Sequence, residues 1–141
     1  MNKNVEFSQA IVSFRTIDLY DEYYGGISKV ELSYLIVIYN IKKDVKAIEL
    51  SKYFNCSKVY VSKIVKKLVD GGYIKLVKCE KDKRCSYLRF TDKGLDVVKT
   101  NIDLYMNKTN YLYNKLGEEK AMQFKTLLEE ATNILNEKGN N

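Results

Sequence analysis

The sequence contains no histidine, and this absence removes several classes of enzyme and metal site. Serine or cysteine nucleophiles that depend on a histidine base are excluded, and so is zinc bound by imidazole. The three cysteines, Cys56, Cys79 and Cys85, are too few for a four-thiolate zinc site, and their odd number argues against a secreted disulfide scaffold. Glycine-rich phosphate loops of the G-x-G-x-x-G or G-x-x-x-x-G-K-S/T type are also missing. We therefore expect no enzyme, no metal ion and no cofactor.

Proline and long apolar runs are absent as well. No stretch approaches the ~20 consecutive apolar residues that span a bilayer, and the N-terminus meets an acidic residue early without a long apolar core. These features predict a cytoplasmic protein that makes no membrane contact. With 45% apolar and 30% charged residues, the 141-residue chain is expected to form a single domain with a buried core.

The net charge of +6 is concentrated in the middle of the chain. Residues 41–99 carry 16 basic and 7 acidic side chains, a net charge of +9, whereas residues 1–40 and 100–141 have net charges of −2 and −1. A basic segment between nearly neutral arms is typical of a module that binds phosphates. A lysine-rich solvated surface is the alternative that composition leaves open. The segregation of the charge favours a polyanionic partner.

Apolar side chains at helical spacing predict helices in the first half of the chain. Residues 5–24 are predicted to form an amphipathic helix that ends at Gly25-Gly26, and Ser28 and Glu31 have the form of a capping box before a second helix. Residues 46–54 predict a short third helix, and Ser57 is a suitable N-cap for a fourth. The apolar residues are Phe7, Ala10, Ile11, Phe14, Ile17, Tyr20 and Tyr24 in the first helix, Leu32, Leu35, Ile36 and Tyr39 in the second, and Val61, Ile64, Val65 and Leu68 in the fourth.

A short turn, Asn55-Cys56, separates the third and fourth helices, which is the arrangement of a helix-turn-helix. The pattern changes after Gly71-Gly72. Residues 73–79 and 85–90 are rich in β-branched and aromatic side chains and are predicted to be strands, joined by the charged loop 80–84. A β-hairpin directly after a helix-turn-helix is a wing.

Two further helices are predicted after the wing. Thr91 is a suitable N-cap for a long fifth helix that Gly117 ends, and a final helix follows. The fifth helix carries an apolar stripe with heptad spacing that needs a partner, either the core of the same chain or the seam of a homodimer. The stripe comprises Leu95, Val98, Ile102, Tyr105, Thr109, Leu112 and Leu116, and the final helix carries Ala121, Phe124, Leu127, Leu128, Ala131 and Leu135.

Two motifs resemble the MarR (multiple antibiotic resistance) family of transcriptional regulators. The segment from Asp82 to Gly94, Asp-Lys-Arg-Cys-Ser-Tyr-Leu-Arg-Phe-Thr-Asp-Lys-Gly, matches that family's wing-to-helix signature, D-x-R-x5-hydrophobic-T-x-x-G. Just upstream, residues 61–74 resemble the family's recognition helix and its run into the wing. The lysine- and tyrosine-rich composition is also similar to the SarA branch of this superfamily. The resemblance covers nearly the whole chain.

The resemblance implies a homodimer whose first and last helices form the dimer body. It also implies that the fourth helix, residues 57–70, enters the major groove of DNA and that the wing, residues 73–90, enters the minor groove. The expected fold class is mainly α with a small β-hairpin wing (α+β). In this fold a winged helix-turn-helix in residues 28–94 is flanked by dimerisation helices in residues 1–27 and 95–141.

The expected function is that of a homodimeric transcriptional repressor that binds a near-palindromic operator in double-stranded DNA. The alternative is a helical interaction module that docks an acidic protein and binds DNA only non-specifically. Steep log-linear salt dependence with sequence preference would distinguish the first function from the second.

The candidate DNA-binding residues are the outward polar positions of the fourth helix and the wing tip. Ser57, Tyr60, Ser62 and Lys63 are candidates for reading base edges, whereas Lys66 and Lys67 lie further along and are expected to contact phosphates, with Lys58 among the outward cations. A solvated surface position is the alternative for any single lysine.

Arg84 is the residue expected in the minor groove, because a narrow A·T minor groove has enhanced negative potential. Asp82 is expected to pair with the Arg84 guanidinium and to fix its direction. Lys81 and Lys83 are expected to contact phosphates beside it. The alternative for the Asp82–Arg84 pair is a surface ion pair of little energetic value.

Three kinds of control are compatible with the sequence. Cys79 and Cys85 flank the wing loop, where a disulfide would distort the wing and weaken DNA binding, and Cys56 lies near Lys58 before a helix N-terminus, which favours its thiolate. Reduced cysteines without a regulatory role are the interpretation that we favour. Alternatively, control acts through expression level alone.

The third kind is a small aromatic effector bound between the dimer body and the DNA-binding lobe. The resemblance to the MarR family suggests this position. Aromatic residues at helical spacing are more often part of a core than of a ligand pocket. The residues that would line such a pocket are Phe14, Tyr20, Tyr34 and Tyr39.

Overall fold

Helices occupy both ends of the chain, and a small sheet lies between them. The computed structural model describes residues 1–20, 23, 25–82 and 84–139. A 3-10 turn, Ala47–Glu49, precedes the third helix. The elements, in chain order, are α1 (Lys3–Arg15), α2 (Lys29–Asn40), β1 (Val45–Lys46), α3 (Leu50–Phe54), α4 (Lys58–Asp70), β2 (Ile74–Lys78), β3 (Ser86–Phe90), α5 (Asp92–Leu116) and α6 (Glu118–Gly139).

The core joins α2, α4, the sheet and the first part of α5. All four apolar residues predicted to face inward from α4 are buried, which confirms the orientation of that helix. In α2, Tyr39 is 37% exposed and lies outside the core, against the edge of Phe90. The buried cluster comprises Ile27, Leu32, Tyr34, Leu35, Ile36, Ile38, Val45, Leu50, Val61, Ile64, Val65, Leu68, Tyr73, Ile74, Leu88, Val97 and Val98.

The helix-turn-helix is confirmed, with a sharp turn between α3 and α4. Asn55 ends α3 with φ 49°, in the left-handed region that asparagine tolerates better than most residues. Ser57 then caps α4, since its hydroxyl oxygen accepts a hydrogen bond from the backbone N–H of Tyr60 at 3.1 Å. The turn therefore needs only Asn55, Cys56 and Ser57 to reverse the chain.

The wing is confirmed as an antiparallel hairpin, and it belongs to a three-stranded sheet. The strand order is β1-β3-β2, with Ile74 opposite Phe90 and Lys78 opposite Ser86. The sequence prediction of one helix over residues 46–54 is wrong in its first part. Lys46 lies in β1 and pairs with Tyr87 of β3, and Ala47–Glu49 form a 3-10 turn, so tertiary pairing overrides the local helical pattern.

The first helix is shorter than predicted, since it ends at Arg15 rather than at Gly25. The Thr16 hydroxyl donates to the Ser13 carbonyl at 2.7 Å, and the Asp18 carboxylate accepts from the backbone N–H of Tyr20 at 3.2 Å. Such local bonds compete with the helix. The Tyr20 hydrogen bond and nearby Lys29 lower the pKa of Asp18. The Tyr24 position of the predicted helix lies outside the described residues.

The core of the same chain accounts for three of the seven residues of the heptad stripe of α5. Val98 is fully buried, and Ile102 and Tyr105 pack against the buried cluster. Helix α5 begins after Thr91 and ends before Gly117, as predicted. Among the described residues, no helix is both long enough and apolar enough to cross a membrane.

The start of α5 is fixed to the corner between α4 and β2. The Thr91 hydroxyl donates to the carbonyl oxygens of Gly72 at 2.6 Å or Tyr73 at 3.0 Å and accepts from the Gly94 N–H at 3.0 Å. The backbone N–H of Thr91 donates to the Tyr73 carbonyl at 3.1 Å. Lys93 adds a bond from Nζ to the Gly71 carbonyl at 2.7 Å. We call this set of contacts the wing joint.

Gly94 is essential to the wing joint because it has no side chain. A Cβ at this position would lie 1.9 Å from the Tyr73 carbonyl oxygen, far inside van der Waals contact. We expect Gly94→Ala to lower the free energy of unfolding by about 2 kcal/mol or more, because backbone must move to accept the methyl group. Urea unfolding followed by circular dichroism measures this. Gly139→Ala, in open space, is the control, and equal stability of the two variants would contradict the prediction.

The Ser57 cap gives a second stability prediction. Ser57→Ala removes the acceptor for the Tyr60 N–H, and we expect it to cost about 1 kcal/mol, which corresponds to a fall in Tm of about 3 °C. Ser57→Asp restores a capping oxygen and should recover most of the loss. Thermal unfolding of the two variants tests the cap, and an equal loss in both would refute it.

Candidate nucleic-acid interface

The outward side of α4 is exposed and mainly polar, with Val59 as an exposed apolar residue near its N-terminus. Because the apolar positions of this amphipathic helix face the core, the remaining positions face solvent. Tyr60, at 42% exposure, lies among the cations near the N-terminus of the helix. Every candidate that the sequence placed on this side is exposed: Ser57, Lys58, Tyr60, Ser62, Lys63, Lys66 and Lys67.

A groove of about 690 Å³ runs between α4 and the wing. From α4 it is lined by Lys58, Ser62 and Lys66, and from the wing by Arg84 and Cys85. The structure therefore brings three of the predicted helix residues together with the predicted wing arginine. The other four predicted residues of α4 do not line this groove: Ser57, Tyr60, Lys63 and Lys67. The floor of the groove is mainly apolar, and the cations Lys58, Lys66 and Arg84 among its lining residues can attract an anionic chain.

Sequence reasoning missed Lys46, which lines the same groove from β1. Its Nζ lies 5.8 Å from the centre of the Tyr87 ring, and the Arg89 guanidinium lies 5.9 Å from the same ring. Arg89 also donates to the Asp44 carboxylate. The only signal for Lys46 in the sequence was its membership of the basic segment, since its strand was not predicted.

The wing tip differs from the prediction in the role of Asp82. Its carboxylate accepts a hydrogen bond from the backbone N–H of Arg84 at 3.0 Å. The ion pairs found in the described part of the chain do not include the expected pair between Asp82 and the Arg84 guanidinium. Asp82 instead shapes the turn, because an aspartate that accepts the N–H two residues later closes a tight loop. Lys81 is exposed beside it, and Lys83 lies outside the described residues.

The cysteines occupy two different environments. Cys79 and Cys85 form a disulfide across the hairpin, with their Cα atoms 5.5 Å apart, although reduced cysteines were the favoured interpretation. The expected distortion of the wing is not seen, since the Cys79 N–H still donates to the Cys85 carbonyl at 3.1 Å. Cys56 is free, and its Sγ lies 3.4 Å from the Tyr34 hydroxyl. Burial raises the pKa of Tyr34, and the contact with Cys56 acts in the same direction.

The four aromatic residues considered for an effector pocket lie in four separate contacts rather than around one cavity. Tyr34 stacks on Phe54 within the core, with ring centres 4.0 Å apart. The structure also describes no group of three or more acidic or cysteine side chains, within the ranges given above, that could hold a metal ion. The other ring contacts are Tyr20 with Tyr105 at 4.7 Å, Tyr39 with Phe90 at 6.3 Å and Phe14 with Phe124 at 5.9 Å.

Comparison with known proteins agrees with this architecture. A family model described as MarR family matches residues 25–84, which contain the helix-turn-helix and most of the wing. Transcriptional regulator Tm0710 from Thermotoga maritima is 26% identical, with a TM-score of 0.51 over 82% of this chain and 81% of that chain. A mutant of MarR from E. coli, complexed with operator DNA, has the same fold at 18% identity, with a TM-score of 0.66 over 91% and 93% of the two chains.

A curated relative extends the sequence similarity beyond the winged lobe. The chain is 30% identical over 104 residues to the HTH-type transcriptional regulator BilQ from Clostridium symbiosum (strain WAL-14163). The aligned segment covers 74% of this chain and 72% of that protein. Together with the winged helix-turn-helix and its fixed wing, this relationship means that the chain belongs to the MarR family of transcriptional regulators.

Proposed function

We propose that the protein is a homodimeric repressor that binds a near-palindromic operator in duplex DNA. One observation carries the proposal: Lys58 and Lys66 of α4 and the wing-tip Arg84 line a single groove. In the E. coli structure with the same fold, the protein is complexed with operator DNA. The DNA-binding lobe corresponds to residues 28–94, and residues 1–27 and 95–141 form the dimer body.

Helix α4 is the element that enters the major groove. The major groove is about 12 Å wide and admits an α-helix, whose N-terminal residues meet base edges. Ser57, Tyr60, Ser62 and Lys63 occupy that end and read the bases, where lysine donates to guanine and a tyrosine ring meets a thymine methyl group. Lys58, Lys66 and Lys67 neutralise phosphates.

The wing enters the adjacent minor groove through Arg84. Its side chain is exposed, and its backbone is held by Asp82, so the guanidinium extends from a fixed turn. An arginine in a narrow A·T minor groove gains from the enhanced negative potential there. Lys81 and Lys83 flank this residue and add phosphate contacts.

Dimerisation covers apolar side chains that the single chain leaves exposed. No residue of α1 or α6 is buried, yet Phe7, Leu127 and Leu135 are 69%, 64% and 67% exposed. Helices with large exposed apolar side chains mark a protein interface. A two-fold dimer formed through them would present two copies of α4 about 34 Å apart, one turn of DNA.

Selection of bound duplexes from a random pool tests the function as a whole. We expect enriched sequences with two inverted half-sites about 10 base pairs apart, because two-fold protein symmetry requires it. Affinity should fall log-linearly with salt while the sequence preference persists. Recovery of random sequences, with equal affinity for all of them, would contradict the proposal.

Arg84→Ala gives the sharpest prediction at the level of one residue. We expect it to weaken binding of the selected duplex about tenfold, because the minor-groove contact is lost without change to α4. Fluorescence anisotropy at fixed salt measures the affinity. Binding equal to the wild type would exclude Arg84 from the interface.

Two lysine variants serve as comparisons for Arg84→Ala. Lys66→Ala should weaken binding to all sequences about equally and reduce the salt slope by about one unit, as expected for a phosphate contact. Lys29→Ala removes an exposed cation from the same lobe, but outside the groove and paired with Asp18. It should leave the affinity for the selected duplex within about twofold of the wild type.

The dimer is tested by mass in solution. Multi-angle light scattering at micromolar concentration should give about twice the 16.4 kDa chain mass. Leu127→Glu places a charge on the exposed apolar side of α6 and should shift the protein toward the monomer. Val30→Glu, also at an exposed apolar position but in the DNA-binding lobe, is the control and should remain dimeric. A wild-type mass of one chain would overturn the dimer.

A further inference from the structure

The wing tip is a closed covalent ring. The strand register that pairs Lys78 with Ser86 makes Cys79 and Cys85 direct cross-strand neighbours. Their Cα separation of 5.5 Å is in the usual range for a disulfide, and the structure joins them. The ring encloses residues 80–84, the segment that carries Arg84.

The disulfide acts directly on the position of Arg84. Arg84 is adjacent to Cys85 in the chain, and both residues line the groove that faces α4. Within the ring, the Cys85 N–H donates to the Asp82 carbonyl at 3.1 Å, and the Arg84 N–H donates to the Asp82 carboxylate at 3.0 Å. In the oxidised state the disulfide therefore ties Cys85, the neighbour of Arg84, to Cys79 at the end of β2, and two local hydrogen bonds close the turn.

Without the disulfide, little else would hold the tip. The paired strands end at Lys78 and Ser86, and the tip residues Glu80, Lys81, Asp82 and Arg84 are exposed. Besides the bridge, the tip is held by the hydrogen bonds from Cys79 to Cys85, from Cys85 to Asp82 and from Arg84 to Asp82. Breaking the bridge leaves hydrogen bonds that water can replace, so the open loop samples many conformations. Ordering such a loop on DNA costs conformational entropy, and this loss lowers the affinity. A loop that the disulfide already closes loses less entropy on binding.

We propose that Cys79 and Cys85 form a reversible dithiol–disulfide couple, and that the oxidised, closed wing binds DNA more tightly than the reduced, open wing. The inference rests on the proposed function, because it regulates the same interface. The direction is opposite to that expected if the bridge distorted the wing, since the observed hairpin keeps its pairing with the bridge in place.

The redox step balances with a hydroperoxide as oxidant. One thiolate attacks the peroxide oxygen, the O–O bond breaks, and the product is a sulfenic acid and water or an alcohol. The second thiol attacks that sulfur, the S–S bond forms, and a second water leaves with the remaining proton. In total, two thiols lose two electrons and two protons. A dithiol reductant reverses the step by exchange and is itself converted to a disulfide.

The test uses the full chain with Cys56→Ser, so that its only cysteines are those of the couple. This variant replaces the thiol beside the Tyr34 hydroxyl by a hydroxyl group, which can also form a hydrogen bond. The protein is oxidised with hydrogen peroxide or reduced with a phosphine, and anisotropy measures its affinity for the duplex selected above. We expect binding to weaken about fivefold on reduction and to recover on reoxidation.

The matched control carries Cys79→Ser and Cys85→Ser in the same background. Its affinity should equal that of the reduced protein and should not respond to peroxide or phosphine. A second measurement is independent of DNA: trypsin should cut at the basic residues of the wing tip more slowly in the oxidised protein. Alkylation and mass spectrometry count the free thiols in each state.

The results of these experiments distinguish a failure of the dithiol–disulfide couple from a failure of the proposed DNA-binding function. Equal affinity in the two states, tighter binding on reduction, or free thiols at Cys79 and Cys85 after peroxide would overturn the couple and leave the DNA-binding proposal standing. The absence of sequence-preferring binding in either state would overturn both.

Discussion

The contact between the Tyr73 carbonyl oxygen and the start of α5 constrains the rest of the structure. Thr91 supplies two hydrogen bonds to this corner, one from its hydroxyl and one from its backbone N–H, and Gly94 has no Cβ, so that the helix can approach. The corner joins the end of α4 to the beginning of β2. As a result, a rotation of the wing away from this corner would break hydrogen bonds of Thr91, two of which are half-buried.

This constraint explains how α4 and the short strands of the sheet together form a groove of defined shape. Helix α4 buries four apolar residues and leaves its cations in water, while the sheet is held by its own register and by the wing joint. The groove between them is consequently a property of the packing, and it is lined both by Lys46 of β1 and by Arg84 of the wing turn, which are far apart in sequence. The wing is fixed at its base by Thr91 and Gly94 and at its tip by the Cys79–Cys85 bridge. Because the wing is held both at its base and at its tip, the position of Arg84 is more restricted than a constraint at one end alone would make it.

The apolar side chains of the chain fall into two groups. Those of α2, α4 and the first half of α5 form the core, in which Tyr34 stacks on Phe54 and is closed to water. Those of α1 and α6 contact few buried residues, as the exposure of Phe7 and Leu127 illustrates. Burial of such side chains is worth about 25 cal/mol for each Å² removed from water, which makes a partner surface energetically favourable. The lobe that carries the groove and the arms that carry this apolar surface are therefore physically distinct.

The sequence by itself determined the elements whose signals are local. The cap at Ser57, the inward face of α4, the hairpin, the cap at Thr91 and the end of α5 before Gly117 all follow from spacing and capping chemistry, and the structure agrees with each. The exposed positions of α4 followed as well, because an amphipathic helix has only one apolar side. The motif from Asp82 to Gly94 identified the family.

Only the tertiary structure decided the features that depend on distant partners. Lys46 lies in a strand rather than in the predicted helix because Tyr87 of β3 pairs with it. The early end of α1 differs, since the bonds found there, from Thr16 to Ser13 and from Tyr20 to Asp18, are local. The Asp82 carboxylate could bind either the guanidinium or the backbone N–H of Arg84, and in the folded turn it accepts a hydrogen bond from the backbone N–H. The sequence placed Cys79 and Cys85 within reach of each other, but whether a bridge would distort the hairpin depended on the register of the two strands. Hydrogen-bond partners and strand register are set by the free energy of the whole packed chain, and a local pattern does not contain that information.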